Sequence, residues 1–271
     1  HPIVMKKSLI YILTLTALLS SCSPYQKALK SEDIGEKFSL GTELYDAGKY
    51  RKASRLFEQI VPLYRGRPQA EKLMYMYAYT FYFNKEYYNS NYQMERFVES
   101  YPESEKAEEM AFFAAKSYYH LAPNYSRDQT DTYLALEKLQ AFINQFPETS
   151  FLAETNACIR ELDYKLERKA FEIAELYYNV NDYEACIKSF DNFILDFPGT
   201  SFRKQAFFIR LQAAYQLALK SVVWKQQARA ETALTYFSTF ERAYSDSENF
   251  PEAQRMAEEL QQLIKSLQAK S

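Results

Sequence analysis

Cysteine, histidine and carboxylate side chains carry most enzymatic chemistry, and this 271-residue chain holds three Cys and two His. The histidines are His1 and His120, which leaves little for imidazole acid–base work or a His-rich metal site. No CxxC, HExxH or GxSxG pattern occurs, and no GxxxxGK precedes a Ser or Thr. Glu103, Glu105, Glu108 and Glu109 cluster where a helix begins. The helix dipole favours carboxylates there, so they read as a solvated acidic face rather than a catalytic pair. The chain is therefore expected not to be an enzyme and to need no cofactor or metal. Its net charge of −2 becomes two units more negative if Lys6 and Lys7 leave with a leader, so nothing points to nucleic acid.

Cys22 is the exception. Lys6 and Lys7 form a positive start after Met5, the expected true first residue, with residues 1–4 an upstream artefact. The apolar run from Leu9 to Leu19 is too short to span a bilayer and has the length of a signal-peptide core. It ends in Leu19-Ser20-Ser21-Cys22, which resembles a bacterial lipobox. The reading is a signal peptide over 1–21, a lipidated tether over 22–33 with acyl chains such as palmitate on Cys22, and a folded domain over 34–271. By resemblance to lipoprotein sorting rules, Ser23 favours the outer membrane, and the lack of an acidic run after Cys22 favours its periplasmic face. Cys158 and Cys186 fall on consecutive helices that turn near Asn181-Asp182. Antiparallel packing separates them by about 27 Å along the helix, too far for a disulfide, so both read as buried apolar residues.

With 5 Gly against 24 Tyr and 20 Phe, the elements that must position any site are helices rather than hairpins. A small residue followed four later by a large one recurs: Ala53/Phe57, Ser90/Met94, Ala135/Leu139, Cys186/Phe190 and Ala233/Phe237. This interlocks a second helix with its partner and resembles the tetratricopeptide pattern, most fully in the first repeat with Leu40-Gly41, Gly48 and Tyr50. Tyr101-Pro102, Phe146-Pro147 and Phe197-Pro198 stop helices, and Ser104, Ser150 and Ser201 are candidate caps for the next. An insertion spans Leu121 to Thr130, and the fourth repeat has a long first helix from about Phe151 to Val180. The predicted fold is all-α: a right-handed α-solenoid of about five tetratricopeptide-like helix pairs with a capping helix from Pro251 to Gln268.

Aromatic pairs seven residues apart mark the first helices: Phe38/Tyr45, Tyr75/Tyr82, Phe112/Tyr119, Phe171/Tyr178 and Phe208/Tyr215. Seven residues return to nearly the same helix face. Two readings are open. The rings fill space between adjacent first helices, or they line a concave peptide groove whose candidate residues are Phe38, Tyr45, Tyr75, Tyr79, Tyr82, Phe112 and Tyr119. In the second repeat these positions are offset from the packing residues Met74, Tyr77, Ala78 and Phe81.

A lipobox followed by about five such pairs resembles the BamD family, the tetratricopeptide-repeat lipoproteins of the outer-membrane β-barrel assembly machine. The resemblance covers nearly all of the chain after Cys22. It is carried by the aromatic-Pro-x-Ser-like junctions, the short Ser23 to Asp33 tether, Leu73-Met74-Tyr75-Met76, and Arg127-Asp128 at the opening of a second helix. In aromatic content and its shorter third-repeat insertion the chain is similar to Bacteroidetes forms. The resemblance implies a scaffold whose C-terminal repeats dock the periplasmic domains of the barrel-forming subunit BamA and whose N-terminal repeats receive unfolded outer-membrane β-barrel clients. Alternatives on the same fold are a periplasmic adaptor in envelope or peptidoglycan biogenesis and a glycan-binding lipoprotein.

Lipidation is directly testable. Cys22→Ala should abolish acyl labelling and release the protein from the membrane fraction, and equal acyl incorporation in the variant would sink the assignment.

Overall fold

The computed structural model describes residues 24–269. The expected signal segment and Cys22 lie outside the described residues. Twelve α-helices occur among them: α1 (Pro24–Lys30), α2 (Ile34–Asp46), α3 (Tyr50–Ile60), α4 (Ala70–Phe83), α5 (Tyr87–Ser100), α6 (Ala107–Leu121), α7 (Thr130–Gln145), α8 (Leu152–Asn179), α9 (Tyr183–Asp196), α10 (Arg203–Leu219), α11 (Val223–Tyr244) and α12 (Phe250–Gln268). No strand occurs among the described residues. The protein is all-α and tetratricopeptide-like, with the expected five pairs and final helix. Two compact units divide it. Unit 1 comprises 24–123 and Thr130–Ile159, and unit 2 comprises Asn124–Gln129 and the chain from Arg160 onward.

The small-to-large ladder packs four of the five pairs as expected; in the fifth Ala233 is buried but Phe237 is half-buried, and Phe240 one turn on is the enclosed aromatic. Ala53, Ser90, Ala135, Cys186 and Ala233 are all fully buried, as are Phe57, Met94, Leu139 and Phe190 four residues on. A small side chain lets the first helix approach closely, and the large one then fills the space beside it. Ser90 is the polar member of the series, and its hydroxyl is satisfied by Ser117 Oγ on α6 at 2.9 Å. Cys158 and Cys186 are free and buried, and burial pushes the Cys186 thiol up to about 12.

Three of the five pairs turn through a left-handed residue. Gly48, Lys85 and Asn181 hold φ of 71°, 62° and 62° at equivalent points after α2, α4 and α8. Glycine and asparagine suit this conformation, whereas Lys85 adopts it against its own preference.

Between pairs the capping register differs from expectation by one residue. Thr149 and Thr200, not Ser150 and Ser201, match Ser104. The hydroxyls of Ser104, Thr149, Thr200 and Ser247 accept from the backbone N–H two residues on, at 3.0 to 3.3 Å. Their own N–H groups donate to Tyr101, Phe146, Phe197 and Tyr244 carbonyls. The repeated unit is an aromatic residue, two spacers and a hydroxyl. None of these is a helix N-cap; α6 is preceded by Lys106, which makes no side-chain cap.

The expected tether is also partly ordered. Residues 24–30 form α1, whose Ala28 is fully buried and whose Tyr25 and Leu29 pack into the first core. Asp33 then caps α2, its Oδ1 accepting from Gly35 N at 2.8 Å and Glu36 N at 3.1 Å.

Gly41 tests the close approach. A Cβ there would lie 2.5 Å from Phe57 Cε1, and Phe57 is fully buried. Gly41→Ala should therefore destabilise unit 1 by about 1–3 kcal/mol, although alanine favours a helix by about 1 kcal/mol. Urea unfolding gives the answer, and a midpoint at or above the parent contradicts the packing.

Candidate functional site

The second repeat's first helix, α4, reads AEKLMYMYAYTFYF and buries Leu73, Met76, Tyr77, Ala78, Tyr79 and Thr80. So broad an apolar surface needs neighbours on more than one side. One is its own partner α5, and another is α6, the next first helix.

Between α4 and α6 lies a polar cluster inside the aromatic layer. Tyr75 Oη and Tyr79 Oη both donate to Glu109 Oε1, at 2.9 and 2.6 Å. Lys106 Nζ donates to Glu109 Oε2 at 3.0 Å. Burial alone would raise the Glu109 carboxyl, but the donated hydrogen bonds from Tyr79, Lys106 and Tyr75 outweigh it and hold it below the usual carboxylate range. Burial and then Glu109 push the Tyr75 phenol up to about 12, and Tyr79 moves further in the same direction. Both phenols remain protonated donors at neutral pH.

Aromatic rings continue from this cluster. Tyr79 stacks on Phe83 at 5.5 Å and meets Phe113 edge-on at 5.3 Å. Tyr82 meets Phe113 at 5.0 Å, with its hydroxyl 3.3 Å from His120 Nε2. His120 stacks on Tyr87 at 4.4 Å. Burial and the charges of Lys116 and Lys85 lower the His120 pKa, favouring a neutral ring. These are packing and hydrogen-bonding roles.

The groove candidates divide accordingly. Tyr79 is 4% exposed and Phe112 0% exposed, and Phe112 stacks on Phe151 at 4.3 Å. Neither presents a face to a peptide, because the neighbouring first helix and the following junction already cover them. Phe38, Tyr45, Tyr75, Tyr82 and Tyr119 are half-buried. Phe38 stacks on Tyr64 at 5.4 Å and Tyr45 meets Tyr50 at 5.5 Å. What stays open is a groove of about 460 Å³ whose wall includes Tyr45, Asp46, Glu71, Lys72, Tyr75 and Lys106. It offers phenol rings beside charges of both signs.

The acidic cluster also divides. Glu103 and Glu105 are exposed, whereas Glu109 bonds the two tyrosines and Glu108 accepts from Thr149 Oγ1 at 2.5 Å. Those two carboxylates fasten helices together rather than face solvent. Arg127 and Asp128 are exposed. Gln129 beside them is buried, its Nε2 donating to the Asn124 and Arg127 carbonyls, both at 2.9 Å. Lys169 Nζ holds Arg127 O at 2.5 Å, and Arg168 lies 4.0 Å over the Tyr125 ring.

Unit 2 carries a surface that sequence reasoning missed. Trp224, the only tryptophan, is 81% exposed at the start of α11, beside Val223 at 68%. Val222 and Leu219 are exposed in the same turn. The α8–α9 turn lies against it, since Lys220 Nζ meets Tyr183 Oη at 2.8 Å, and it contributes Val180, 60% exposed. A solvent-facing tryptophan in an apolar turn is the feature that could have flagged the patch.

The Glu109 cluster has a pH signature. Its folded-state pKa lies below the unfolded value, so its stabilisation is fully present above the unfolded carboxylate pKa and is lost as pH falls through the folded one. Melting temperature should therefore fall more steeply between pH 7 and pH 3 in the parent than in Glu109→Gln. Parallel acid profiles would contradict the network.

A family model described as outer membrane lipoprotein, YfiO, matches residues 32–229. The chain is 24% identical over 184 residues to the outer membrane protein assembly factor BamD of Rickettsia prowazekii, covering 68% of this chain and 73% of that one. To BamD of Caulobacter vibrioides it is 22% identical over 210 residues, covering 78% and 68%. To BamD of Pasteurella multocida it is 20% identical over 235 residues, covering 83% and 90%. In shape it is similar to the TPR2AB domain of yeast Sti1 in its pHSP90 complex, with a TM-score of 0.40 and 15% identity, covering 87% of this chain and 98% of that one. The model match spans well over half the chain and runs through the helix pairs that carry both surfaces, so the chain belongs to the YfiO family of outer membrane lipoproteins.

Proposed function

We propose that the protein is an outer-membrane protein assembly factor: a scaffold, not an enzyme, held by acyl chains on Cys22 at the periplasmic face of the outer membrane. Unit 2 docks the periplasmic domains of a BamA-like barrel-forming subunit, and unit 1 receives unfolded β-barrel clients. The family, and the relatives named as outer membrane protein assembly factors, support this role. No helix among the described residues is long and apolar enough to cross a membrane.

The observation that carries the docking reading is the Trp224 patch. An exposed tryptophan ringed by valine and leucine costs solubility, and it has the composition of an interface anchor. For clients, Tyr45 and Tyr75 supply flat apolar contact with a hydroxyl, and Asp46, Glu71, Lys72 and Lys106 supply charges. Unfolded segments need such permissive contacts rather than a shaped pocket.

Affinity purification from detergent-solubilised outer membrane tests the proposal. The parent should bring down a barrel-forming subunit, and Trp224→Ala should weaken that association about 30-fold or more, as for a hot-spot truncation of about 2 kcal/mol. Its melting temperature should stay at the parent value, because the side chain is exposed. Co-purification of peptidoglycan-synthesis enzymes without a barrel subunit would replace the assembly reading with the envelope adaptor.

A further inference from the structure

We infer that a basic pocket in unit 1, at the corner of α1, α3 and the α4–α5 turn, binds the phosphate of an anionic phospholipid headgroup. The pocket encloses about 590 Å³, room for a phosphodiester and its glycerol, and its wall includes Tyr25, Arg51, Lys52, Arg55, Asn84 and Asn89. Glu58 and Glu86 also line it, and Asn89 Nδ2 donates to Glu86 Oε2 at 3.3 Å. Three cations thus face two carboxylates within the wall, and Lys49 and Lys85 stand beside it in sequence. None of these five basic residues makes an ion pair among the described residues.

Two further features shape the site. The first turn of α3 holds Arg51 and Lys52 and no acidic residue, and Lys49 at its N-cap makes no side-chain cap. Cations at the positive end of a helix oppose its dipole, and an anion there relieves the opposition. Lys52 Nζ lies 5.2 Å over the Tyr25 ring, which ties the basic helix to α1.

Position decides between a lipid and a soluble phosphate. Tyr25 follows Cys22 by three residues, and three residues reach at most about 11 Å. Resting on the reading of Cys22 as the acylated residue, the pocket lies within reach of the headgroup layer that the acyl chains enter. Clustered Lys and Arg beside a membrane anchor attract anionic lipid.

The mature chain with Cys22→Ala, which carries no acyl group, is titrated with vesicles of phosphatidylethanolamine alone and with 30% phosphatidylglycerol, and with glycerol 3-phosphate. Binding to the phosphatidylglycerol vesicles should exceed binding to the neutral ones at least tenfold. Replacing Arg51, Lys52 and Arg55 together by Gln should remove that excess without lowering the melting temperature. Replacing Lys188, Lys204 and Lys265, three exposed lysines of unit 2, should preserve it. Equal losses in both triple variants, or none in either, overturn the pocket. Glycerol 3-phosphate binding that depends on the three pocket residues, with no vesicle preference, overturns the lipid as the source. Acylation plays no part in this titration, so acyl labelling of the parent reports separately on Cys22.

Discussion

Close approach of paired helices at a small residue is the constraint from which the rest of the structure follows. Where Gly41 faces Phe57, not even a methyl group fits. Where Ala53, Ser90, Ala135 and Cys186 stand, the helices come near enough for the large side chain four residues on to be wholly enclosed. The chain then has to supply large side chains to every first helix, because each must also cover its neighbour. This accounts for the abundance of Phe and Tyr better than a groove does. Helices of different length, up to the 28 residues of α8, are accommodated because the constraint acts only at the crossings.

Tyrosine in such a layer brings a hydroxyl that needs a partner. In unit 1 Tyr75 and Tyr79 give theirs to Glu109 on the next first helix. Tyr118 donates to Glu95, which Lys138 also holds at 2.7 Å. Unit 2 repeats the device, with Tyr215 on α10 donating to Glu259 on α12. A carboxylate accepting from phenols stays ionised at lower pH, and a phenol beside a carboxylate stays protonated at higher pH. In the Glu109 and Glu259 clusters each partner therefore holds the other in its bonding form. Within each unit such bonds tie neighbouring helices together, and the Tyr45–Tyr75 groove and the basic corner of unit 1 and the Trp224 turn of unit 2 are among the surfaces left open.

Much of this was legible in the sequence. Helix pairs, the small-to-large ladder, the long α8, the turn near Asn181-Asp182 and the unpaired cysteines all follow from local periodicity and punctuation. What was not legible depends on a neighbour in space. The seven-residue spacing of Tyr75 and Tyr82 assigns a face to α4 but not what lies against it, so Tyr79 and Phe112 stayed open between groove and core. Glu109 looked like one more acid at a helix start, and only the adjacent helix reveals its two phenols. Thr149 and Thr200 were overlooked because Ser150 and Ser201, one residue later, are residues of the same capping type. Residues 24–30 looked like a linker because their burial is carried by single small contacts such as Ala28.

The central claim is that Glu109 and the tyrosines of α4 act as one unit that closes the inner face of unit 1. A double-mutant cycle between Tyr79→Phe and Glu109→Gln, read by urea unfolding at pH 7, measures this directly. Removal of the Tyr79 hydroxyl leaves ring packing intact and deletes only the bond. The account predicts that each single change destabilises unit 1 and that the double change costs about 1 kcal/mol or more less than their sum, in the range of a hydrogen bond to a charged group. Additive losses would mean that Tyr79 and Glu109 do not depend on one another, and the account of the closed inner face would fail.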